Sequence, residues 1–159
     1  MITFVSNSPL ETKKIGGQIG RLLRKRDVVA LEGDLGAGKT TLVKGIAKGL
    51  GITNEREVVS PTFVLIHEYP ARKKIYHIDW YRLRSVEGID ALFAEDCFNA
   101  EAVTLVEWAD RGKEALPPEH IQIRLRHKSE QSRLITVSAK GKKYTGFLKS
   151  LRGRLGKSK

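Results

Sequence analysis

The 159-residue sequence has little of several features that define particular protein classes. Cys97 is its only cysteine, so the chain forms no internal disulfide, and a cysteine-based zinc site is not expected. No apolar run approaches the roughly 20 residues that a membrane span requires. The first residues, Met1 to Val5, lack the basic start and the long apolar stretch of a secretion signal. These absences predict a cytoplasmic protein with no membrane contact and no redox chemistry.

Acidic residues are absent after residue 140, and this segment accounts for most of the formal charge of +11. Seven lysines and arginines fall there, so subtracting them leaves +4 for the rest of the chain. Two interpretations of the segment stay open: a solvated, partly disordered terminus, or a tail that contacts nucleic-acid phosphates, such as those of tRNA, by counterion release. The predicted organisation is one domain over residues 1–140, followed by a basic C-terminal tail over residues 141–159.

The first half of the chain predicts a helix and then a strand, loop and helix in succession. Ser8-Pro9-Leu10-Glu11 is typical of a capped helix start with proline in the first turn. Val28 to Leu31 is a short apolar run of the kind found in buried strands. Apolar residues then recur at helical spacing from Leu42 to Leu50, and Gly51 follows at the position of a helix C-cap. The glycine-rich segment therefore lies between a strand and a helix.

The second half predicts five strands and one short helix. The strands are expected at Phe63–Ile66, Lys74–Asp79, Ala102–Glu107, Ile121–Leu125 and Ile135–Val137, and the helix around Ile89–Cys97. The first two strands are joined by too few residues for a parallel crossover, so they form an antiparallel pair, and the last two form a second hairpin. The expected architecture is α/β, a P-loop NTPase-like three-layer fold with a mixed parallel and antiparallel sheet.

The glycine-rich segment matches the P-loop pattern G-x-x-x-x-G-K-T, which predicts ATP and Mg²⁺ as cofactors. Its glycines let backbone N–H groups wrap around a phosphate, while the following helix points its positive end at the same anion. Lys39 is predicted to bridge the β- and γ-phosphates, and Thr40 to place its hydroxyl on Mg²⁺. The residues assigned to ATP binding in this segment are Asp34, Leu35, Gly36, Ala37, Gly38, Lys39, Thr40 and Thr41.

Phosphoryl transfer also needs acidic groups that hold the water shell of the metal and orient the attacking water. Asp79 and Glu107 each end an apolar strand and fit this requirement, although a carboxylate at a strand end can instead cap a neighbouring helix. Ser60-Pro61-Thr62 lies where nucleotide hydrolases carry switch-type loops, so Ser60 and Thr62 are candidate switch residues. A simple proline turn is the alternative interpretation of that segment.

The remaining polar and aromatic residues carry no clear chemical signal. The four histidines show no metal-ligand spacing, and they are interpreted as surface or packing residues. Trp80, Tyr81 and Trp108 follow the two strand-end acids and are interpreted as packing aromatics.

Taken together, the motifs resemble the TsaE family of ATPases, which act in the biosynthesis of threonylcarbamoyladenosine in bacterial tRNA. The resemblance runs from about Ser8 to Val137 and rests on four segments in order: Gly33-Asp34-Leu35-Gly36-Ala37-Gly38-Lys39-Thr40-Thr41, Ser60-Pro61-Thr62-Phe63, His77-Ile78-Asp79-Trp80-Tyr81-Arg82-Leu83 and Val106-Glu107-Trp108. It implies an ATP-hydrolysing accessory protein that acts with the transferase TsaD and its partner TsaB. Those proteins install threonylcarbamoyl on the adenosine beside the anticodon.

The resemblance also implies roles for individual residues. Lys39, Asp79 and Glu107 are the implied catalytic residues, and Thr40 and Glu107 the implied magnesium-site residues. The start of the first helix is implied to contribute to the adenine pocket, which points to Ser8, Glu11 and Thr12. The loop of Ser60 and Thr62 is implied to respond to the nucleotide at the partner surface.

Two other functions fit parts of the sequence. A small-molecule kinase uses the same P-loop, and Arg82 and Arg84 are then candidate lid residues over the phosphates. A basic RNA-binding module with a vestigial P-loop accounts instead for the positive charge of the tail.

Overall fold

The computed structural model describes residues 1–61, 66–82 and 89–156. These ranges contain seven strands, β1 (Ile2–Ser6), β2 (Val28–Glu32), β3 (Ile66–Tyr69), β4 (Ile75–Asp79), β5 (Val103–Glu107), β6 (His120–His127) and β7 (Arg133–Lys140). They also contain four α-helices, α1 (Pro9–Leu22), α2 (Lys39–Leu50), α3 (Ile89–Asn99) and α4 (Thr145–Leu155). Short 3-10 turns occur at Glu55–Glu57, Ala109–Ala115 and Lys142–Tyr144.

All the described strands belong to one sheet with the order β1-β7-β6-β2-β5-β4-β3. Its centre is parallel, because β2 pairs in parallel with β5 and β6, and β4 pairs in parallel with β5. Its edges are antiparallel, since β3 pairs with β4 and β7 pairs with both β6 and β1. The predicted mixed sheet is therefore confirmed, as are both predicted hairpins.

Helices cover both faces of the sheet, and the alternation of strand side chains builds one core on each face. In β2, Val29 and Leu31 join a core formed with α1, α2 and α4. Val28 and Ala30 point the other way, into a smaller core that also contains Ala94 of α3. The predicted three-layer α/β fold is confirmed.

Helix α1 begins, and helix α2 ends, at the residues that the sequence indicated. Ser8 is the N-cap of α1, and its hydroxyl accepts a hydrogen bond from the backbone N–H of Glu11. The Glu11 carboxylate in turn accepts one from the backbone N–H of Asn7, at 2.7 Å. Helix α2 begins directly after Gly38 and ends at Gly51, whose backbone is left-handed with φ 108°.

The structure of the C-terminal segment contradicts one of the two interpretations of its sequence. Residues 142–155 form a 3-10 turn and then helix α4, and Tyr144, Phe147 and Leu151 are buried in the larger core. The expectation of a solvated, partly disordered terminus is therefore wrong for these residues. These residues include apolar side chains at helical spacing. Their packing against α1 and β7 stabilises the helix.

Two strands also differ from the prediction. Strand β1 was not predicted, although Ile2 and Phe4 are half-buried and alternate with exposed Thr3 and Val5, as in an edge strand. Strand β3 begins at Ile66, whereas the other residues of its predicted range, 63–65, lie outside the described residues. No helix in the described ranges is long and apolar enough to cross a membrane.

Helices α1 and α2 touch through their backbones, because glycines face each other where they cross. A Cβ atom on Gly20 would lie 2.2 Å from the carbonyl oxygen of Ile46, and one on Gly45 would lie 2.3 Å from that of Lys13. Gly16 and Gly49 are in similar contacts with the opposite helix. The start of α1 is thereby fixed relative to α2, the helix that follows the P-loop.

We expect Gly20→Ala to lower the free energy of unfolding by roughly 1–3 kcal/mol, because the two helix backbones must move apart. Gly153→Ala is the matched control, since in the described part of the chain no atom beyond the neighbouring backbone of α4 lies within 4 Å of a Cβ built at that position. It should raise stability by about 0.5–1 kcal/mol. Urea denaturation measures both effects. Equal stability of the two variants would contradict the backbone contact between α1 and α2.

Candidate functional site

A cavity of about 420 Å³ opens at the carboxyl ends of the parallel strands β2, β4 and β5. Ligands of open α/β sheets bind at this edge, because the loops that follow the strands converge there. The cavity is lined by the P-loop, by the ends of β4 and β5, and by the Ser60 loop: Leu35, Gly36, Gly38, Lys39, Thr40, Thr41, Ser60, Asp79, Tyr81, Glu107 and Trp108.

The P-loop joins β2 to α2 through a backbone that only glycine tolerates at two critical points. Gly38, with φ 99°, turns the chain into the first residue of α2, so the positive end of that helix faces the cavity. Gly33, with φ 146°, leaves room for strand β6, since a Cβ atom there would lie 2.5 Å from the carbonyl oxygen of Leu125. Ala37 packs in the core, whereas Asp34 and Leu35 are exposed.

Lys39 is held at the wall of the cavity. Its ammonium group donates hydrogen bonds to the carbonyl oxygens of Gly33, at 2.6 Å, and Asp34, at 2.9 Å. It also lies 3.6 Å from the centroid of the Trp108 ring, in a cation–π contact. Burial lowers the pKa of Lys39, and the negative charge of Glu107 opposes that shift. The lysine thus carries its charge among loop carbonyls and an aromatic face, next to the helix N-terminus.

Thr40 and Glu107 connect α2 to the end of β5. The Thr40 hydroxyl lies 3.0 Å from each carboxylate oxygen of Glu107 and donates to them. Glu107 is buried at 2% exposure. This pair joins the two residues that were predicted to form the magnesium site.

Asp79 lies beside Glu107 because β4 and β5 are parallel neighbours whose register pairs these two residues. One oxygen of its carboxylate accepts a hydrogen bond from the backbone N–H of Tyr81 at 2.7 Å, and the other accepts one from the Ser60 hydroxyl. The fold therefore brings Ser60 and Asp79 to the same wall of the cavity. Thr62 and Arg84 lie outside the described residues.

The donor atoms at this wall suit Mg²⁺ held together with a phosphate ligand. Mg²⁺ binds hydroxyl and carboxylate oxygens, and in nucleotide sites it uses one or two carboxylates together with waters and phosphates. Thr40, Asp79 and Glu107 offer that oxygen set. No group of three or more histidine, cysteine, aspartate or glutamate side chains in the described ranges is placed to hold a metal ion by itself. Thr40, Asp79 and Glu107 fit a Mg²⁺ ion whose remaining ligands are waters and phosphate oxygens.

A smaller cavity of about 100 Å³ adjoins the other side of the P-loop. Gly36, Gly38 and Thr41 line both cavities, so the two spaces meet across the loop. Ser8 and Thr12 reach the smaller cavity from the start of α1, together with Gln131 of the β6–β7 turn and Arg133 at the start of β7. Glu11 does not line it, since its carboxylate faces Asn7. The sequence did not indicate Gln131 or Arg133, because their position depends on the folding of the hairpin.

Comparison with known proteins places the chain in one family. The sequence model of the Threonylcarbamoyl adenosine biosynthesis protein TsaE family matches residues 6–135. The chain belongs to the TsaE family. It is 42% identical over 134 residues to the tRNA threonylcarbamoyladenosine biosynthesis protein TsaE of Treponema pallidum, covering 84% of this chain and 98% of that protein. The TsaE of Bacillus subtilis is 44% identical over 138 residues, covering 86% of this chain and 85% of the relative.

The fold of this TsaE-family chain also matches a solved structure, the crystal structure of Bacillus subtilis YdiB. The TM-score is 0.81 at 36% sequence identity, and the match covers 96% of this chain and 95% of that one. The coverage includes most of the C-terminal segment, in which residues 142–144 form a 3-10 turn and residues 145–155 form α4. The α/β architecture is thus shared along almost the whole chain.

His77 is a residue of this TsaE-family site that the sequence analysis interpreted as surface or packing. It is completely buried in β4, and its Nε2 lies 2.8 Å from Oε1 of Glu107. Its Nδ1 has no hydrogen-bond partner in the described part of the chain. A carboxylate accepts hydrogen bonds, so the proton belongs on Nε2, which donates to Glu107. The spacing of His77 and Asp79, two residues apart on one face of a strand, is the signal that could have revealed it.

Two aromatic residues interpreted as packing residues instead form a wall of the cavity. The rings of Tyr81 and Trp108 lie 4.9 Å apart, and the guanidinium of Arg111 lies 4.9 Å from the Tyr81 ring. Arg111 also donates to the carbonyl oxygen of Tyr81 at 2.6 Å. Trp108 has a left-handed backbone with φ 57°, which is uncommon for a large residue. Trp80, in contrast, is buried in the smaller core as expected.

We expect His77→Ala to lower the ATP turnover that the P-loop sequence predicts by about 10- to 100-fold, because Glu107 loses the donor that orients its carboxylate. His77→Gln, which can still donate a hydrogen bond, should retain more activity than His77→Ala. His120→Ala is the matched control, since His120 is also buried but contacts the carbonyl of Pro117 at 2.7 Å. Steady-state kinetics measures turnover and KM for ATP separately. Equal turnover in His77→Ala and His120→Ala would show that His77 does not position Glu107.

Proposed function

We propose that this TsaE-family protein binds ATP with Mg²⁺ and hydrolyses it to ADP and inorganic phosphate. The observation that carries this proposal is the convergence of Lys39, Thr40, Asp79 and Glu107 on one cavity beside the P-loop. A cation, a hydroxyl and two carboxylates are the groups that phosphoryl transfer to water requires.

The two adjoining cavities suggest how the nucleotide lies. The phosphates would occupy the larger cavity, where Lys39 and the N-terminus of α2 supply positive charge. The ribose and base would extend across Gly36 and Gly38 into the smaller cavity, toward Ser8 and Thr12. Lys39 would exchange its hydrogen bonds to loop carbonyls for bonds to phosphate oxygens. Thr41 lines both cavities, which suits a contact with the α-phosphate.

The two carboxylates have different surroundings and therefore different proposed roles. Glu107 is bonded to Thr40 and His77, which favours a role in holding Thr40 and the water shell of the metal. Asp79 is bonded to Ser60 and to the backbone of Tyr81, which favours a role in orienting the attacking water. Mg²⁺, when bound, neutralises charge that develops on the β- and γ-phosphate oxygens. The contact with Ser60 also couples Asp79 to the proposed switch-type loop.

We further propose that ATP hydrolysis supports threonylcarbamoylation of the adenosine beside the anticodon in tRNA. In this proposal the chain acts with TsaD and TsaB and does not itself transfer the threonylcarbamoyl group. Family membership supports this role, since the relatives from Treponema pallidum and Bacillus subtilis are both described as tRNA threonylcarbamoyladenosine biosynthesis proteins.

We expect Lys39→Ala to abolish productive ATP binding, because the phosphates lose their main cationic partner. Asp79→Ala and Glu107→Ala should instead retain nucleotide binding and lower turnover by about 100-fold or more, since they act mainly in the transition state. Calorimetry and a phosphate-release assay without any acceptor substrate measure these effects. Turnover at the wild-type rate in both acid variants would exclude the proposed roles of Asp79 and Glu107. In a parallel assay with an added metabolite, phosphorylation of that metabolite would favour a kinase.

The biological role is tested by reconstitution with TsaD and TsaB. We expect repeated rounds of tRNA modification only when this protein and ATP are both present, and no such gain with Lys39→Ala. Modified adenosine per TsaD molecule is the quantity to measure. The same yield with and without this protein would contradict the accessory role while leaving ATP hydrolysis by the isolated chain unaffected.

A further inference from the structure

Helices α1 and α4 pack against each other, and exposed cations lie at the end of α1, just after it and along α4. We term these residues together the basic face: Arg21, Arg24, Lys149, Arg152 and Arg154. The first two lie at the end of α1 and just after it, and the other three lie on α4. None of the five has an ion pair with an acid in the described residues. Their charge is therefore available to a partner.

These cations are held on a fixed scaffold, because α4 is anchored in the core. Phe147 and Leu151 are buried, and Leu148 and Leu155 pack against the same core. The Tyr144 hydroxyl accepts a hydrogen bond from the backbone N–H of Val28, at 3.4 Å, which ties the start of α4 to β2. A partner therefore meets the charges in a preset arrangement and does not have to order a disordered tail.

Acids close to the basic face do not cancel its charge. Asp27 is buried, and Lys143 bridges it at 3.0 Å. Glu101 pairs with Arg26 at 2.7 Å. A cavity of about 290 Å³ lies between Arg24 and α4, and it is also lined by Ser150. Of the five cations that define the face, Arg24 lines this cavity, and the other four lie outside its lining.

The chemistry of this face favours an extended polyanion over a membrane or a protein. An amphipathic helix that binds a membrane inserts an apolar face, but the apolar side of α4 is already buried in the core. Protein interfaces usually have an apolar centre. None of the large exposed apolar side chains in the described ranges lies on α4: Met1, Val5, Leu10, Leu35, Val59, Tyr81 and Phe93. Regularly spaced phosphates match cations without apolar neighbours.

We infer that the basic face binds the phosphate backbone of RNA, and that the RNA is tRNA. The choice of tRNA rests on the proposed function in tRNA modification. Strand β2 separates this face from the nucleotide site, because Tyr144 contacts Val28 at the start of that strand, whereas the P-loop follows Glu32 at its end. RNA and ATP therefore bind at opposite ends of β2, and bound RNA leaves the ATP cavity open.

The test measures the affinity of full-length protein for fluorescently labelled tRNA by anisotropy at several salt concentrations. The triple variant Lys149→Glu, Arg152→Glu and Arg154→Glu should weaken binding by at least about 10-fold at 0.1 M salt. It should also reduce the slope of log K against log salt by about 2–3, since each lost phosphate contact lowers that slope by about 0.9. Changing the same three residues to Gln removes their charge without reversing it. This variant should also weaken tRNA binding, but by less than the Glu triple.

The matched control carries the same change of net charge elsewhere. Lys48→Glu, Arg56→Glu and Arg72→Glu alter exposed residues on α2, on the turn after it and on the β3–β4 connection. This variant should keep most of the tRNA affinity and the salt slope of the wild type. ATP turnover should be unchanged in both triple variants, and thermal unfolding checks that both remain folded.

Three results would overturn the inference. The first is a wild-type protein that does not bind tRNA at physiological salt. The second is an equal loss of tRNA affinity in the two Glu triples, which would show that binding depends on net charge and not on the basic face. The third is stronger binding to vesicles of phosphatidylserine and phosphatidylcholine than to tRNA, which would assign the face to a membrane surface. The proposed ATP hydrolysis is tested separately from tRNA binding. If that proposal is wrong, the wild-type protein will not turn over ATP, whatever its affinity for tRNA.

Discussion

The buried carboxylate of Glu107 is the interaction on which the arrangement of the site depends. A buried charge is tolerated only when hydrogen bonds compensate it, and Glu107 receives these from Thr40 on α2 and His77 on β4. Meeting that requirement fixes the start of α2 against two strands of the sheet. It also leaves Asp79, the register neighbour of Glu107, at the same edge. The hydrogen bonds that compensate the buried Glu107 carboxylate therefore bring the P-loop and the acidic residues to one cavity.

A second buried acid supports the other side of the loop. Glu32 is the last residue of β2, and its carboxylate accepts hydrogen bonds from Gln122 at 2.6 Å and Arg124 at 2.8 Å, both on β6. Burial tends to raise the pKa of Glu32, but the hydrogen bonds from Arg124 and Gln122 outweigh it and hold the pKa below its usual value. The strand before the P-loop is therefore tied to β6 on one side, while Glu107 ties the helix after it to β5.

Local sequence patterns were sufficient to predict the parts of the fold that depend on residues close together in the sequence. The capped start of α1 at Ser8, the P-loop and the strand-end positions of Asp79 and Glu107 could all be predicted in this way. His77 could not, because its role depends on which strand lies beside β4 and in which register. The same holds for Arg133, which reaches the smaller cavity only through the β6–β7 hairpin. Helix α4 could have been predicted from the spacing of Phe147 and Leu151, but the density of charge around them obscured it.

The most direct test of the central claim is calorimetric titration of a non-hydrolysable ATP analogue into the wild-type protein, with and without Mg²⁺. The site predicts one nucleotide per chain and clearly tighter binding when Mg²⁺ is present, because Thr40 and Glu107 offer oxygen atoms to the metal. Failure to bind the analogue, or an affinity that does not respond to Mg²⁺, would contradict the assignment of this cavity as a magnesium and ATP site.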